Sequence, residues 1–222
     1  HADRVLFSTT VFDISLSATN GAVLKPDMPY NFSYKGDHAV YVITKNTAIE
    51  FMKHYYPEYG LKYFVFRFPT IYNYSPYHYY HPNGVKTLRP VYRMIDQAIK
   101  GEPIELWGNP NYSKDMVYVY DCAQMICKAV EVNRDHGWYN VGTGVPVSLQ
   151  QQIETIIKVF SPIDHPSQIV YCPEKPAGGG FLMDVTNAKE ELGYEPKYDV
   201  EALFRNYKEE MKVNRFKELR GE

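Results

Sequence analysis

Cysteine is scarce in this chain, with three among 222 residues: Cys122, Cys127 and Cys172. Any disulfide scheme leaves one over, and Cys122 and Cys127, five apart in a predicted helix, do not share a face as metal ligands would. Three reduced core thiols and no metal are expected. An excess of either charge is also missing, since 24 Lys and Arg against 26 Asp and Glu leave a formal net charge of −2, with the basic residues scattered. A nucleic-acid binder needs a basic footprint, so that class is excluded. No apolar run approaches the roughly 20 residues that span a bilayer, and His1-Ala2-Asp3-Arg4 does not have the charged and then apolar pattern of a secretory leader. A cytoplasmic protein without membrane or nucleic-acid partners is expected. Absent too is any Gly-x-Gly-x-x-Gly turn, the backbone cradle in which a strand and helix hold a dinucleotide's phosphates.

What is present is ordinary globular composition, 45% hydrophobic and 23% charged, enough for a core in one or two domains. Strand signals fall at Arg4–Ser8, Tyr63–Phe68, Ile104–Trp107, Met116–Tyr120, Trp138–Val141 and Ile169–Cys172. Helical periodicity falls at Val40–Tyr56, Leu88–Lys100, Asp121–Val132, Leu149–Phe160, Asn187–Leu192 and Val200–Lys212. This alternation predicts an α/β fold with a parallel sheet. Ser148 with Gln151 three residues on forms a capping box for the Leu149 helix, and Gly60 and Gly101 follow helix ends. Two long loops, Asp13–Asp37 and Tyr72–Val85, have the length of functional or mobile segments.

Tyrosine is plentiful, and 21 Tyr with 16 Lys give about one or two Tyr-x-x-x-Lys pairs by chance. There are two. Tyr171 and Lys175 enclose Pro173, which does not fit inside a helix, whereas Tyr41 and Lys45 lie in a proline-free helical run. Four residues apart on a helix, Lys45 lies near the Tyr41 phenol, and its charge favours the phenolate of a general base. The hydroxyl cluster Ser8-Thr9-Thr10 ends a strand, where open α/β sheets bind ligands. Such spacing also occurs with a half-buried tyrosine and a solvated lysine, and such hydroxyls also cap turns. His78 and His81 bracket Tyr79 and Tyr80 without a third metal ligand, so these aromatics read as loop packing or as a pocket wall. Gly178-Gly179-Gly180 reads as a hinge loop or a backbone approach to phosphate.

The order of motifs resembles the extended short-chain dehydrogenase/reductases, the NAD-dependent epimerase/dehydratase group. The matching stretches are Phe7-Ser8-Thr9, Tyr41 and Lys45 with Glu50, and Phe66-Arg67-Phe68-Pro69-Thr70-Ile71-Tyr72. Gly101-Glu102-Pro103-Ile104-Glu105-Leu106-Trp107-Gly108, the run from Lys114 to Ala123, Tyr139-Asn140-Val141-Gly142, and Glu191-Leu192-Gly193-Tyr194-Glu195-Pro196 continue it through about residue 200. The resemblance implies the C-terminal part of a Rossmann-type parallel sheet, at 1–75 with 111–135, and a smaller substrate-binding lobe at 76–110 and 136–222. The amino-terminal half of the Rossmann domain, with its glycine-rich loop, is then expected to lie outside these 222 residues, and the chain on its own to be inactive.

The resemblance also implies a cofactor, NAD with NADP as the alternative, and a nucleotide-diphosphate sugar as substrate. Tyr41 is then the base, Lys45 holds the nicotinamide ribose, and Ser8 or Thr9 hydrogen-bonds the reacting oxygen; anchoring on Phe7 selects Thr9 and anchoring on Val11-Phe12 selects Ser8. Phe7, Pro69 and Ile71 border the cofactor, while Thr70, Thr87, Leu88, Lys114 and Lys175 fall at substrate positions. Sugar 4,6-dehydratases carry an acidic pair after the active-site Thr, where this chain has Thr10 and Val11; related epimerase/reductases need a Cys that is absent there. A 4-epimerase fits the residues present. The alternatives are a nucleotide-sugar or carbonyl reductase, and a non-catalytic binding protein that keeps the fold. A homodimer through the Tyr41 helix is a family expectation, although Phe51, Met52 and Tyr55 suit the chain's own core equally.

Overall fold

The computed structural model describes residues 2–36, 38–81, 84–176, 180–213 and 215–216. Gly178 and Gly179 of the glycine run, and Asp37, Pro82 and Asn83 of the two long loops, lie outside the described residues. In chain order the elements begin with β1 (Arg4–Thr10), a 3-10 segment (Val11–Ser17), β2 (Ala22–Leu24), α1 (Ala39–Tyr59), β3 (Lys62–Phe68), β4 (Ile71–Tyr72), β5 (Tyr79–Tyr80), β6 (Thr87–Leu88) and α2 (Pro90–Lys100). They continue with β7 (Ile104–Trp107), β8 (Ser113–Asp115), β9 (Val117–Tyr118), α3 (Val119–Glu131), β10 (His136–Asn140) and β11 (Pro146–Ser148). The last are α4 (Leu149–Phe160), β12 (Ile169–Cys172), β13 (Phe181–Met183), α5 (Thr186–Leu192) and α6 (Val200–Val213). The predicted strand Met116–Tyr120 is cut to two residues, because Val119 already starts α3.

Two compact units form: His1–Ile71 with Ser113–Pro146 and Gly179–Lys197, and Tyr72–Tyr112 with Val147–Gly178 and Tyr198–Glu222. Compared with the expected division, residues 72–75 and 111–112 fall in the second unit, and residues 136–146 and 179–197 in the first. The cause of the latter change is strand pairing, since β10 runs parallel to β3 and β13 runs parallel to β2.

The first unit is built on a parallel sheet of order β1-β3-β10. Alternation along β1 and β3 divides two packing faces. Val5, Phe7, Tyr63 and Val65 pack with Ile49 and Met52 of α1, whereas Leu6, Phe64 and Phe66 join the cluster containing Met125 and Ala129 of α3 and Ala188 and Leu192 of α5. Helices on both faces bury this sheet, as parallel pairing requires. In the second unit β7 and β12 pair in parallel from Ile104↔Ile169 to Trp107↔Cys172, and α2, α4 and α6 supply Met94, Ile95, Ile153, Ile156, Leu203 and Phe204 as buried apolar side chains. The capping box forms at Ser148 and Gln151, and Gly60 and Gly101 end α1 and α2 in the left-handed region at φ of 70° and 68°. No described helix is long and apolar enough to cross a membrane.

Candidate active site

The hydroxyl strand and the tyrosine helix meet in the first unit. Buried Ala39, Val42, Asn46, Ile49 and Met52 recur at helical spacing, so α1 lays one face on the sheet. That face brings Lys45 to the carboxyl end of β1, where its Nζ donates to Ser8 Oγ at 3.2 Å. The ammonium is 4.8 Å from the Phe7 ring centre and 5.8 Å from that of Tyr41. Tyr41 is 44% exposed. Ser8 is exposed, whereas Thr9 is 2% exposed and its Oγ1 has no hydrogen-bond partner among the described residues. Thr10 Oγ1 accepts from Phe12 N at 3.3 Å, which turns the chain out of β1. Ser8, then, is the hydroxyl in contact with Lys45.

Beneath this end of the sheet lies a polar cluster that motif reading missed. Arg67 is fully buried, and its Nε donates to Asp13 Oδ1 at 2.9 Å and Oδ2 at 3.2 Å. Its Nη1 donates to Lys25 O, Pro26 O and Asn140 Oδ1, while Asn140 Nδ2 donates to Leu24 O at 2.7 Å. Asp13 O in turn accepts from Asn31 N at 2.8 Å. The segment after β1 is thereby tied down by one guanidinium. Burial pushes the Asp13 carboxyl above its usual range by more than the Arg67 charge pulls it down. The one available signal was a charged residue inside the apolar strand Phe64-Val65-Phe66-Arg67-Phe68.

Lys114 sits in β8, next to a second buried carboxylate. Asp115 accepts from Thr143 N at 2.7 Å, Thr143 Oγ1 at 2.8 Å, Gly144 N at 2.9 Å and Met183 N at 3.3 Å. Burial raises the Asp115 carboxyl and these donors oppose the rise. On the other side, a Cβ on Gly180 would collide with Ser113 O, so glycine permits backbone contact there.

The remaining predicted residues are dispersed. Thr70 is exposed after β3, Pro69 is half-buried, and Ile71 packs on the first unit's core. In the second unit Thr87 and Leu88 pair as β6 with Tyr80 and Tyr79, and Thr87 Oγ1 donates to Val85 O at 3.1 Å. Lys175 forms an ion pair with Glu105 at 2.6 Å. His78 stacks on Tyr92 with ring centres 4.4 Å apart. Cys127 is exposed, which corrects the expectation of three core thiols; its position on α3 faces solvent, while Cys122 and Cys172 are buried.

A cation, two hydroxyls and an aromatic ring at one strand end fit the hydroxyl-rich nicotinamide-ribose part of a dinucleotide, with the Thr9 hydroxyl as a further unpaired group nearby in sequence.

The model of the NAD dependent epimerase/dehydratase family matches residues 14–142. The chain is 29% identical over 140 residues to a dTDP-glucose 4,6-dehydratase of Xanthomonas campestris pv. campestris, covering 58% of this chain and 37% of the relative. It is 27% identical over 177 residues to a putative UDP-glucose 4-epimerase of Methanocaldococcus jannaschii, covering 78% of this chain and 53% of the relative. The chain thus spans about half of these curated relatives or less. A UDP-glucose 4-epimerase from Thermotoga maritima, solved with UDP-glucose, superposes with a TM-score of 0.71 at 24% identity, covering 95% of this chain and 64% of the other. A UDP-N-acetylglucosamine 4-epimerase from Methanobrevibacter ruminantium M1, solved with UDP-N-acetylmuramic acid, gives a TM-score of 0.70 at 20% identity, covering 95% and 64%. At such identities the two structures establish a shared fold.

Proposed function

Since the chain belongs to the NAD-dependent epimerase/dehydratase family, we propose that it carries the catalytic strand and helix of a nucleotide-sugar 4-epimerase. The 3.2 Å contact between Lys45 Nζ and Ser8 Oγ, with Tyr41 one helical turn before the lysine, carries this reading. NAD, when bound, supplies the acceptor and donor of hydride for the sugar carbon. Tyr41 takes the proton of the sugar hydroxyl and returns it after the face of the carbon has changed. Lys45 stabilises the negative charge that develops on the phenol oxygen, and with Phe7, Pro69 and Ile71 it holds the cofactor. Ser8 hydrogen-bonds the reacting oxygen.

Dehydration needs an acid that protonates a leaving hydroxyl. The first carboxyl after the hydroxyl cluster, Asp13, is fully buried and committed to Arg67, which favours epimerisation. Lys114 and Lys175 remain the candidate diphosphate contacts, and Thr70, Thr87 and Leu88 further candidate substrate contacts. Phe51 and Tyr55 on α1 are 59% and 44% exposed, which supports a homodimer through this helix. A cytoplasmic location completes the reading.

The test is made on the full gene product with UDP-hexoses, following the C4 epimer by NMR. Tyr41→Phe should lower turnover at least about a hundredfold with an unchanged circular-dichroism spectrum, the scale of lost general acid–base catalysis. A 4-keto-6-deoxy product, or stoichiometric consumption of reduced cofactor, would replace the epimerase by a dehydratase or a reductase.

A further inference from the structure

Trp107 closes β7 in the second unit, and three charged side chains meet its indole. The Lys175 ammonium lies 5.0 Å from the ring centre and the Arg93 guanidinium 5.7 Å. Glu105 Oε2 accepts the indole Nε1–H at 2.7 Å and Lys175 Nζ at 2.6 Å, so one carboxylate oxygen holds both the ring and one of its cations. The arrangement is fixed by the backbone. Cys172 lies opposite Trp107 in the parallel β7–β12 register, and Lys175 N donates to Cys172 O at 3.1 Å, which seats the lysine in the turn beyond β12.

An aromatic face flanked by two cations suits an anionic nucleotide, because the ring offers a stacking surface and the cations offer charge to phosphate. Glu105 works against that complement. Its side chain is 45% exposed and that of Lys175 36%, so the ion pair is of the weak, solvent-screened kind that a phosphate can displace. The displaced carboxylate nevertheless stays two residues from Trp107 on the same strand, close to the arriving anion.

We propose that Glu105 is a built-in counter-anion that sets the affinity and the charge preference of this site: it holds Lys175 and the indole in the free protein and must yield Lys175 to the diphosphate. This rests on the reading of Lys175 as a diphosphate contact. Repulsion grows with the charge of the ligand, so Glu105 disfavours a free nucleoside diphosphate more than the diester of a nucleotide sugar, whose second phosphate has lost one ionisable oxygen. The site is thereby biased towards substrate over free nucleotide.

Isothermal titration of the full gene product with UDP and with UDP-glucose tests this. Glu105→Gln keeps an acceptor for the indole and removes the charge; it should tighten UDP about threefold to tenfold and UDP-glucose less, the range of one screened charge. Glu105→Asp, which keeps the charge, should bind UDP no more tightly than the parent. Lys175→Ala should weaken both ligands. If Lys175→Ala weakens both while Glu105→Gln leaves UDP unchanged or weaker, the counter-anion role is overturned and the lysine reading stands. If Lys175→Ala changes neither, the lysine reading itself falls and takes the counter-anion role with it.

Discussion

Ser8 and Thr9 are adjacent hydroxyls with opposite surroundings. Ser8 is exposed and accepts from Lys45, while Thr9 is buried with an unpaired Oγ1 among the described residues. A buried hydroxyl without a partner costs about 1–3 kcal/mol, so its removal relieves a penalty. Thr9→Val should therefore leave turnover near normal and raise stability by up to about 1 kcal/mol. Ser8→Ala should lower turnover at least about tenfold, having lost a hydrogen bond to the reacting oxygen, and change stability by no more than about 0.5 kcal/mol. Turnover and denaturant midpoints of the two variants decide between the residues, and the reverse pattern would give the role to Thr9. Asn46, buried on α1 with neither amide atom paired among the described residues, is a second polar group awaiting a partner.

Among the elements, β8 is held by side-chain and backbone contacts on two sides. Asp115 gathers three backbone N–H groups and one hydroxyl from the 143–144 turn and β13, and Gly180 lets the chain leading into β13 touch Ser113 O. Gly180 does not have a left-handed backbone, so its requirement is for space rather than for conformation. Gly180→Ala would drive a Cβ into a backbone oxygen that cannot rotate away, and β13 would have to move off β8. The expected loss is about 1–3 kcal/mol, the range of overpacking, measured by chemical denaturation. Lys114 lies on β8, the strand that would lose this neighbour, and weaker UDP binding by the same variant would connect this packing to the proposed diphosphate contact.

At the scale of the folded chain, the Arg67–Asp13 pair is an ion pair with both side chains 0% exposed. Removing one partner leaves a buried charge, which typically costs about 3–5 kcal/mol, whereas replacing both by apolar groups is often neutral. Asp13→Leu and Arg67→Met should each destabilise by about that amount, and the double variant should recover only part of the loss, because Lys25 O, Pro26 O and Asn140 Oδ1 still lose their donor. Fluorescence of Trp138, whose ring centre is 5.2 Å from Arg67, reports the transition in a Trp107→Phe background. The sequence by itself determined the local elements and the proposed catalytic spacing: β7, β12 and α4 have the ends read from periodicity and capping, and Tyr41 and Lys45 lie on one helix as their interval requires. Periodicity, caps and turn residues act within a few neighbours, so they are legible in order of residues. Only the tertiary structure decided that Ser8 rather than Thr9 meets Lys45, that Asp13 is sealed against Arg67, that Lys175 pairs with Glu105, and that 136–146 and 179–197 join the first unit. Those outcomes join residues 37, 54 and 70 positions apart, or strands paired across the chain, and they are settled by which faces can be buried together, a property of packing that no local pattern encodes.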